Sequence, residues 1–257
     1  SGRVMTVQQR NNVKVRGHGP ATLIFSHGFG CDQAMWRALV PGFEDRFRVV
    51  TYDLVGSGGS DLGAYDRAKY ATLQGYADDL IEIADEFAEG PVVLVGHSVS
   101  AMSGLLATIK RPGRFAAQVM VAPSPWYIND GDYLGGFLRD DIDDLLDTME
   151  ANFLGWSSSM APAIMGAPEQ PALGEELRAT FCRNDPDIAA HFARVPFLTD
   201  NRPQLPLSDT PALLLQCTDD FIAPRAVGEY MQAQMRDCEL RVIDNVGHCP
   251  HLSAAGP

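Results

Sequence analysis

Four short stretches of this chain carry residue types that could perform acyl transfer if a fold brought them together. The first is GHSVS, Gly96 to Ser100, directly after the apolar run Val92–Val95. A serine on a tight strand-to-helix turn sits at the carboxyl end of its strand with the hydroxyl presented, and the sharp turn needs small residues two positions to either side. Gly96 and Ser100 meet that need, although the last residue of such a turn is usually glycine. The helix that follows, read from Ala101, would add positive dipole character where an oxyanion forms. An ordinary serine N-cap would need no more than this, so the chemical reading of Ser98 depends on partners elsewhere.

A serine nucleophile needs a base. Of the six histidines, His248 lies in DNVGHCPHLS, directly after the last β-rich run. Residues just past the carboxyl ends of parallel strands converge on one crevice, so His248 can meet Ser98. His251 is its nearest competitor, and His191 falls in a helical pattern. Zinc binding by His248, Cys249 and His251 lacks a second ligand pair at metal-site spacing. The base in turn needs an orienting carboxylate. QCTDDFIAP follows another strand, and both Asp219 and Asp220 qualify; adjacent loop residues point apart, so only one can reach His248. The fourth stretch, FSHGFGCD, has an H-G-x-G form whose backbone amide can join that of the residue after the nucleophile, which nominates Phe29 and Val99 as oxyanion donors. On its own it reads as a glycine turn. The glycine-rich DLVGSGGSD at Asp53–Asp61 lacks G-x-G-x-x-G and reads as a conformational turn, not a nucleotide loop.

These residues need a scaffold, and the hydrophobic pattern supplies one. The runs Leu23–Phe25, Val49–Tyr52, Val92–Val95, Ala117–Val121, Ala212–Gln216 and Glu239–Ile243 are mostly continuous in apolar residues, as strands are when both faces of a parallel sheet are covered. Leu73, Tyr76, Leu80, Ile83, Ala84 and Phe87 recur at helical spacing. The stretch to Arg16 is expected to add one or two edge strands. Between residues 125 and 204 the alternation stops and the pattern is helical, with one apolar stripe through Ile142, Leu145, Leu146, Met149, Phe153 and Trp156. Asp185-Pro186 is a helix start, an N-cap followed by proline. The expected architecture is an α/β core of residues 1–124 and 205–257 with a helical cap, residues 125–204, inserted in it.

Composition excludes several classes. The 257 residues carry a formal charge of −13, which makes nucleic acid a poor partner. No apolar run is long enough to cross a bilayer as a helix. Five scattered cysteines argue against a disulfide framework and for a reducing, cytoplasmic setting. Ser1-Gly2 reads as an expression remnant, with Met5 a candidate native start. The chain ends soon after His248, short of the further helix such a sheet would carry, which suggests a shortened chain.

Taken together, HGFG, GHSVSAM, QCTDDFIAP and GHCPHLS resemble the RsbQ type of α/β-hydrolase, bacterial stress-signalling proteins similar to the plant karrikin and strigolactone receptors. The resemblance runs over nearly the whole chain and includes GGFLRDDIDDLL and ANFLGWSSSMAPAIMG, which look like that family's four-helix lid. It implies the α/β-hydrolase fold, with Ser98 as nucleophile, His248 as base, and Asp220, four residues before the proline of DFIAP, as the acid. A terminal serine is common in that family's GHSVS. The resemblance also implies a small apolar pocket under the lid, for which Phe29, Phe137, Trp156, Phe197 and Phe221 are the expected lining residues. It implies no metal or organic cofactor. The expected ligand is a small hydrophobic ester or lactone, hydrolysed through a Ser-His-Asp triad. The alternative is a ligand sensor with slow turnover that acts through a signalling protein partner.

Overall fold

The computed structural model describes residues 4–256. Ser1-Gly2, read above as an expression remnant, lies outside them. Seven strands form one sheet in the order β1-β3-β2-β4-β5-β6-β7. They are β1 (Lys14–Arg16), β2 (Thr22–Ser26), β3 (Arg48–Tyr52), β4 (Val92–His97), β5 (Ala117–Val121), β6 (Ala212–Asp219) and β7 (Cys238–Val246). Only β1 runs antiparallel to its neighbour. The chain thus has the α/β-hydrolase architecture, a mostly parallel sheet flanked by helices.

Alternate residues of the central strands enter opposite cores, which is why these strands read as unbroken apolar runs. Ile24, Val50, Leu94 and Met120 pack against α2 (Leu73–Phe87) and α3 (Val99–Lys110), while Phe25, Val49, Val95 and Val121 pack with Trp36 on the other face. The apolar face expected at residues 73–87 is the buried face of α2. Of the one or two edge strands expected in the N-terminal stretch, one forms, β1. Residues Val7–Asn11 make a short helix, α1, because Thr6 and Gln9 close a capping box, Thr6 Oγ1 accepting from the Gln9 amide at 3.1 Å and Gln9 Oε1 from the Thr6 amide at 3.2 Å.

Between β5 and β6 the chain forms α4 (Arg139–Ala151), α5 (Phe153–Met165), α6 (Pro171–Cys182) and α7 (Pro186–Leu198). The apolar stripe is split over α4 and α5. Asn152 leaves helical geometry at φ −153°, and its side chain caps α5 by accepting from the Gly155 amide at 3.0 Å. Asp185 caps α7 with proline at the first helical position. Buried Ile142, Leu146, Met149, Trp156 and Phe181 of these helices form a core shared with Cys31, Tyr127, Ile222 and Cys249 of the strand-end loops. Helices α8 (Arg225–Gln234) and α9 (Pro250–Ser253) follow β6 and β7. Among the described residues no helix is long and apolar enough to cross a membrane.

Candidate active site

The loops after β2, β4, β6 and β7 hold, in turn, His27–Gly30, Ser98, Asp220 and His248. Since these four strands are parallel, all four loops emerge at one edge of the sheet. Ser98 stands at the turn from β4 into α3 with φ 55° and ψ −117°. A non-glycine residue with positive φ costs on the order of 1–3 kcal/mol and persists only where its surroundings enforce it. Here the Ser98 amide donates to the Val121 carbonyl of β5 at 2.8 Å. Gly96 is needed because a Cβ there would lie 2.6 Å from the Ser100 carbonyl oxygen.

His248 joins the two flanking residues. Its Nε2 lies 2.8 Å from Ser98 Oγ and its Nδ1 lies 2.6 Å from Asp220 Oδ2. A carboxylate can only accept, so Nδ1 carries the proton and Nε2 is left to accept from the serine hydroxyl. All three side chains are buried. The second carboxylate oxygen, Asp220 Oδ1, accepts from the amides of Ile222 at 2.9 Å and Ala223 at 3.2 Å. Asp219, the other candidate, ends β6 in solvent.

The neighbours of His248 hold it from both sides. His97 Nε2 lies 2.7 Å from the His248 carbonyl, which can only accept, so His97 donates there. The His248 amide donates to the Ile164 carbonyl at the end of α5 at 2.8 Å. Burial, with His251 and His248 nearby, pushes His97 well below the usual histidine range. Burial next to His248 takes His251 down to about 3. His251 lies between the rings of Trp36 and His97, with centroids 4.6 and 4.3 Å away. Both are therefore neutral at physiological pH and make poor competitors for the role of base.

Ser98 opens into a narrow cavity of about 40 Å³, measured as space open to the centre of a water molecule. Phe29 and Val99 line it, as do Trp156 and Phe197. The amides of Phe29 and Val99 have no acceptor among the described residues. Phe137 and Phe221 lie outside the cavity, contrary to expectation. The turn that Asp220 Oδ1 makes with the next amides brings Ile222 inward and leaves Phe221 42 % exposed. Phe137 is fixed by backbone bonds to Tyr127 and Asn129, and its ring faces Phe221 at 6.5 Å.

The sequence reading missed Tyr127, Leu145, Met160 and Phe181 as lining residues. Phe181 stacks on Trp156 with centroids 6.0 Å apart. Burial pushes the Tyr127 phenol up to about 12, an effect softened by neighbouring Ser98. Cys31 and Cys249 also line the cavity, and burial pushes both thiols up, so they stay protonated and weakly nucleophilic. The glycine-rich loop is occupied with its own acid: buried Asp53 accepts from the Gln33 and Gly59 amides and from Asn12 Nδ2, each at 2.9 Å. Among the described residues no group of three His, Cys, Asp or Glu side chains could hold a metal ion.

A family model described as the alpha/beta hydrolase family matches residues 23–256. The chain is 39 % identical over 249 residues to the karrikin insensitive 2 receptor CA of Petunia hybrida, covering 96 % of this chain and 92 % of that one. It is 38 % identical over 245 residues to the strigolactone esterase RMS3 of Pisum sativum, covering 95 % and 91 %. Among solved structures it is similar to a hydrolase from Oleispira antarctica, with a TM-score of 0.93 and 40 % identity over 97 % of this chain and 92 % of that one.

Proposed function

The chain belongs to the alpha/beta hydrolase family, and from that premise we propose that it is a serine hydrolase of small hydrophobic esters or lactones. The observation that carries this reading is the continuous contact from Ser98 Oγ through His248 to Asp220, at 2.8 and 2.6 Å, beside an apolar cavity that Ser98 and His248 line. Ser98 Oγ attacks the carbonyl carbon as its proton passes to His248 Nε2. Asp220 stabilises the imidazolium and holds its tautomer. The negative charge on the former carbonyl oxygen is met by the amides of Phe29 and Val99, each worth about 2.7–4 kcal/mol in such sites. The tetrahedral intermediate collapses, His248 protonates the leaving alcohol, and an acyl-serine remains. Water then repeats the sequence, giving its proton to His248 and releasing the acid and free Ser98. A lactone follows the same course, its alcohol staying tethered to the acyl group. Residues 125–204 act as the cap that makes the site small and dry, through Trp156, Phe181 and Phe197.

The test is p-nitrophenyl acetate hydrolysis together with mass-spectrometric mapping of a sulfonyl fluoride adduct. Ser98→Ala is expected to lose both hydrolysis and the adduct. Full hydrolysis by that variant would reject the nucleophile.

Similarity to a protein named as a receptor favours a second reading, in which ligand occupancy is signalled to a protein partner and turnover is slow. The hydrogen bonds linking the cap to the base loop, His248 N to Ile164 O and Ala167 N to Val246 O, both 2.8 Å, would carry such a signal. Rapid multiple turnover without a ligand-dependent change in melting temperature favours the enzyme. Single turnover with a ligand-dependent drop favours the sensor.

A further inference from the structure

Ser100, the residue that departs from a glycine-ended elbow, is buried, and its hydroxyl donates to the His27 carbonyl at 2.5 Å. That bond crosses between two segments of different origin. Val99, one residue before Ser100, opens α3. Phe29, two residues after His27, lies in the loop that follows β2. We propose that Ser100 is a positioning residue that sets the spacing of the oxyanion donors, the amides of Val99 and Phe29, by tying α3 to the His27 carbonyl. The proposal rests on reading those amides as the oxyanion site.

The loop is otherwise built so that this tether reaches Phe29. The Leu54 amide donates to His27 Nε2 at 3.0 Å, so the ring proton sits on Nδ1, which donates to the Gly28 carbonyl at 2.8 Å. The Cys31 amide donates to the same carbonyl at 3.2 Å. The Gly28 carbonyl and the Phe29 N–H belong to one planar peptide and point in opposite directions. Holding that carbonyl therefore aims the Phe29 N–H. Ser100 fixes the preceding peptide, on which this arrangement hangs. A glycine or alanine at position 100 would satisfy the steric demand of the turn and leave the two segments untied. The hydroxyl makes no hydrogen bond to Ser98, His248 or Asp220, so its loss acts through geometry alone.

The experiment compares Ser100→Ala and Ser100→Thr with the parent in ester hydrolysis, and measures inhibition by a trifluoromethyl ketone, whose serine adduct places an oxyanion in the hole. Displacing a catalytic group by a fraction of an ångström to an ångström costs up to ~100-fold in rate. Ser100→Ala is expected to lose roughly ten- to a hundredfold in kcat with KM within about twofold, and to bind the ketone more weakly by a similar factor. The acid limb of its pH–rate profile stays where it is in the parent, because His248 and Asp220 keep their contacts. Ser100→Thr, which keeps the hydroxyl, recovers most of kcat. If threonine does not fit and the variant fails to fold, the ketone affinity of Ser100→Ala decides. Unchanged kcat and ketone affinity in Ser100→Ala, or a shifted acid limb, would overturn the proposal. Ser98→Ala tests the parent reading separately: if it stays active the whole site is rejected, whereas an inert Ser98→Ala beside an unaffected Ser100→Ala rejects only the role of Ser100.

Discussion

Asp219 and Asp220 are adjacent in the chain and face opposite environments. Asp219 ends β6 in solvent, while the Asp220 side chain is fully buried, with one oxygen 2.6 Å from His248 Nδ1 and the other on two backbone amides. Asp220→Asn keeps the shape but offers an amide that cannot stabilise an imidazolium and that favours the wrong tautomer. In a comparable triad this change costs on the order of 10⁴ in kcat, and a loss of about 10³–10⁴ is expected here. Asp219→Asn should stay within about twofold. Steady-state kinetics on both variants decide the acid, and the reverse order of effects would reassign it.

Stability should fall on the acid side through buried histidines. Burial lowers the folded-state pKa of His27, His97 and His251, the last to about 3. In the unfolded chain each takes up a proton near pH 6.5. The unfolded state thus binds more protons once the pH drops below about 6.5, and each histidine removes up to about 1.4 kcal/mol per pH unit until its own folded pKa is reached. Above pH 7 these groups contribute no slope. Urea unfolding at pH 7.5, 6.5 and 5.5 measures this. His251→Phe keeps a ring between Trp36 and His97 and removes two buried nitrogens without partners. It should flatten the dependence by close to one proton, and an unchanged slope would exclude His251 as a contributor.

The join between α5 and the base loop can be probed at one residue. Gly247 has φ 124°, and a Cβ there would stand 1.8 Å from the Met165 carbonyl oxygen. Gly247→Ala must therefore separate the end of α5 from His248, with a loss of about 3 kcal/mol or more and a fall in kcat as the base moves. Gly131 also has positive φ, 58°, but open space around its Cβ position. Gly131→Ala is the control, expected to cost about 1–2 kcal/mol from backbone strain alone and to leave kcat unchanged. Thermal unfolding and kinetics of the pair separate collision from strain. Equal effects would mean that the join does not hold the base.

Strand identity was legible because the central strands bury both faces, so their apolar runs stand out without any tertiary knowledge. β6 and β7 each run three residues past their apolar signal, β6 into exposed Thr218 and Asp219 and β7 through residues that alternate between half-buried and exposed. Strand order then brought Ser98, His248 and an aspartate to one edge. The choice between Asp219 and Asp220 needed the direction of a loop side chain, which strand order does not contain. Aromatic type was a weaker guide. Phe137, Phe181 and Phe221 look alike in sequence, yet only Phe181 reaches the cavity, because the facing of a loop or helix residue depends on turns and capping some distance away. The helix α1 carried a readable signal in Thr6 and Gln9 that strand reasoning passed over.

That difference in facing makes a specificity prediction. Met160 lines the cavity from α5 and is only half-buried, so shortening it should extend the cavity toward the surface at modest cost in stability. A flexible, unbranched side chain at such a wall limits how long an acyl group can lie behind the attacked carbonyl. Met160→Ala is expected to raise the ratio of kcat/KM for p-nitrophenyl hexanoate over acetate by roughly three- to tenfold, since each methylene newly buried contributes about 0.8 kcal/mol. Phe221→Ala removes a larger and more apolar side chain from the outer surface, and its ratio should match the parent. Measured side by side, a shift in Phe221→Ala with none in Met160→Ala would put the acyl group on the wrong side of Asp220 and require a different binding cavity.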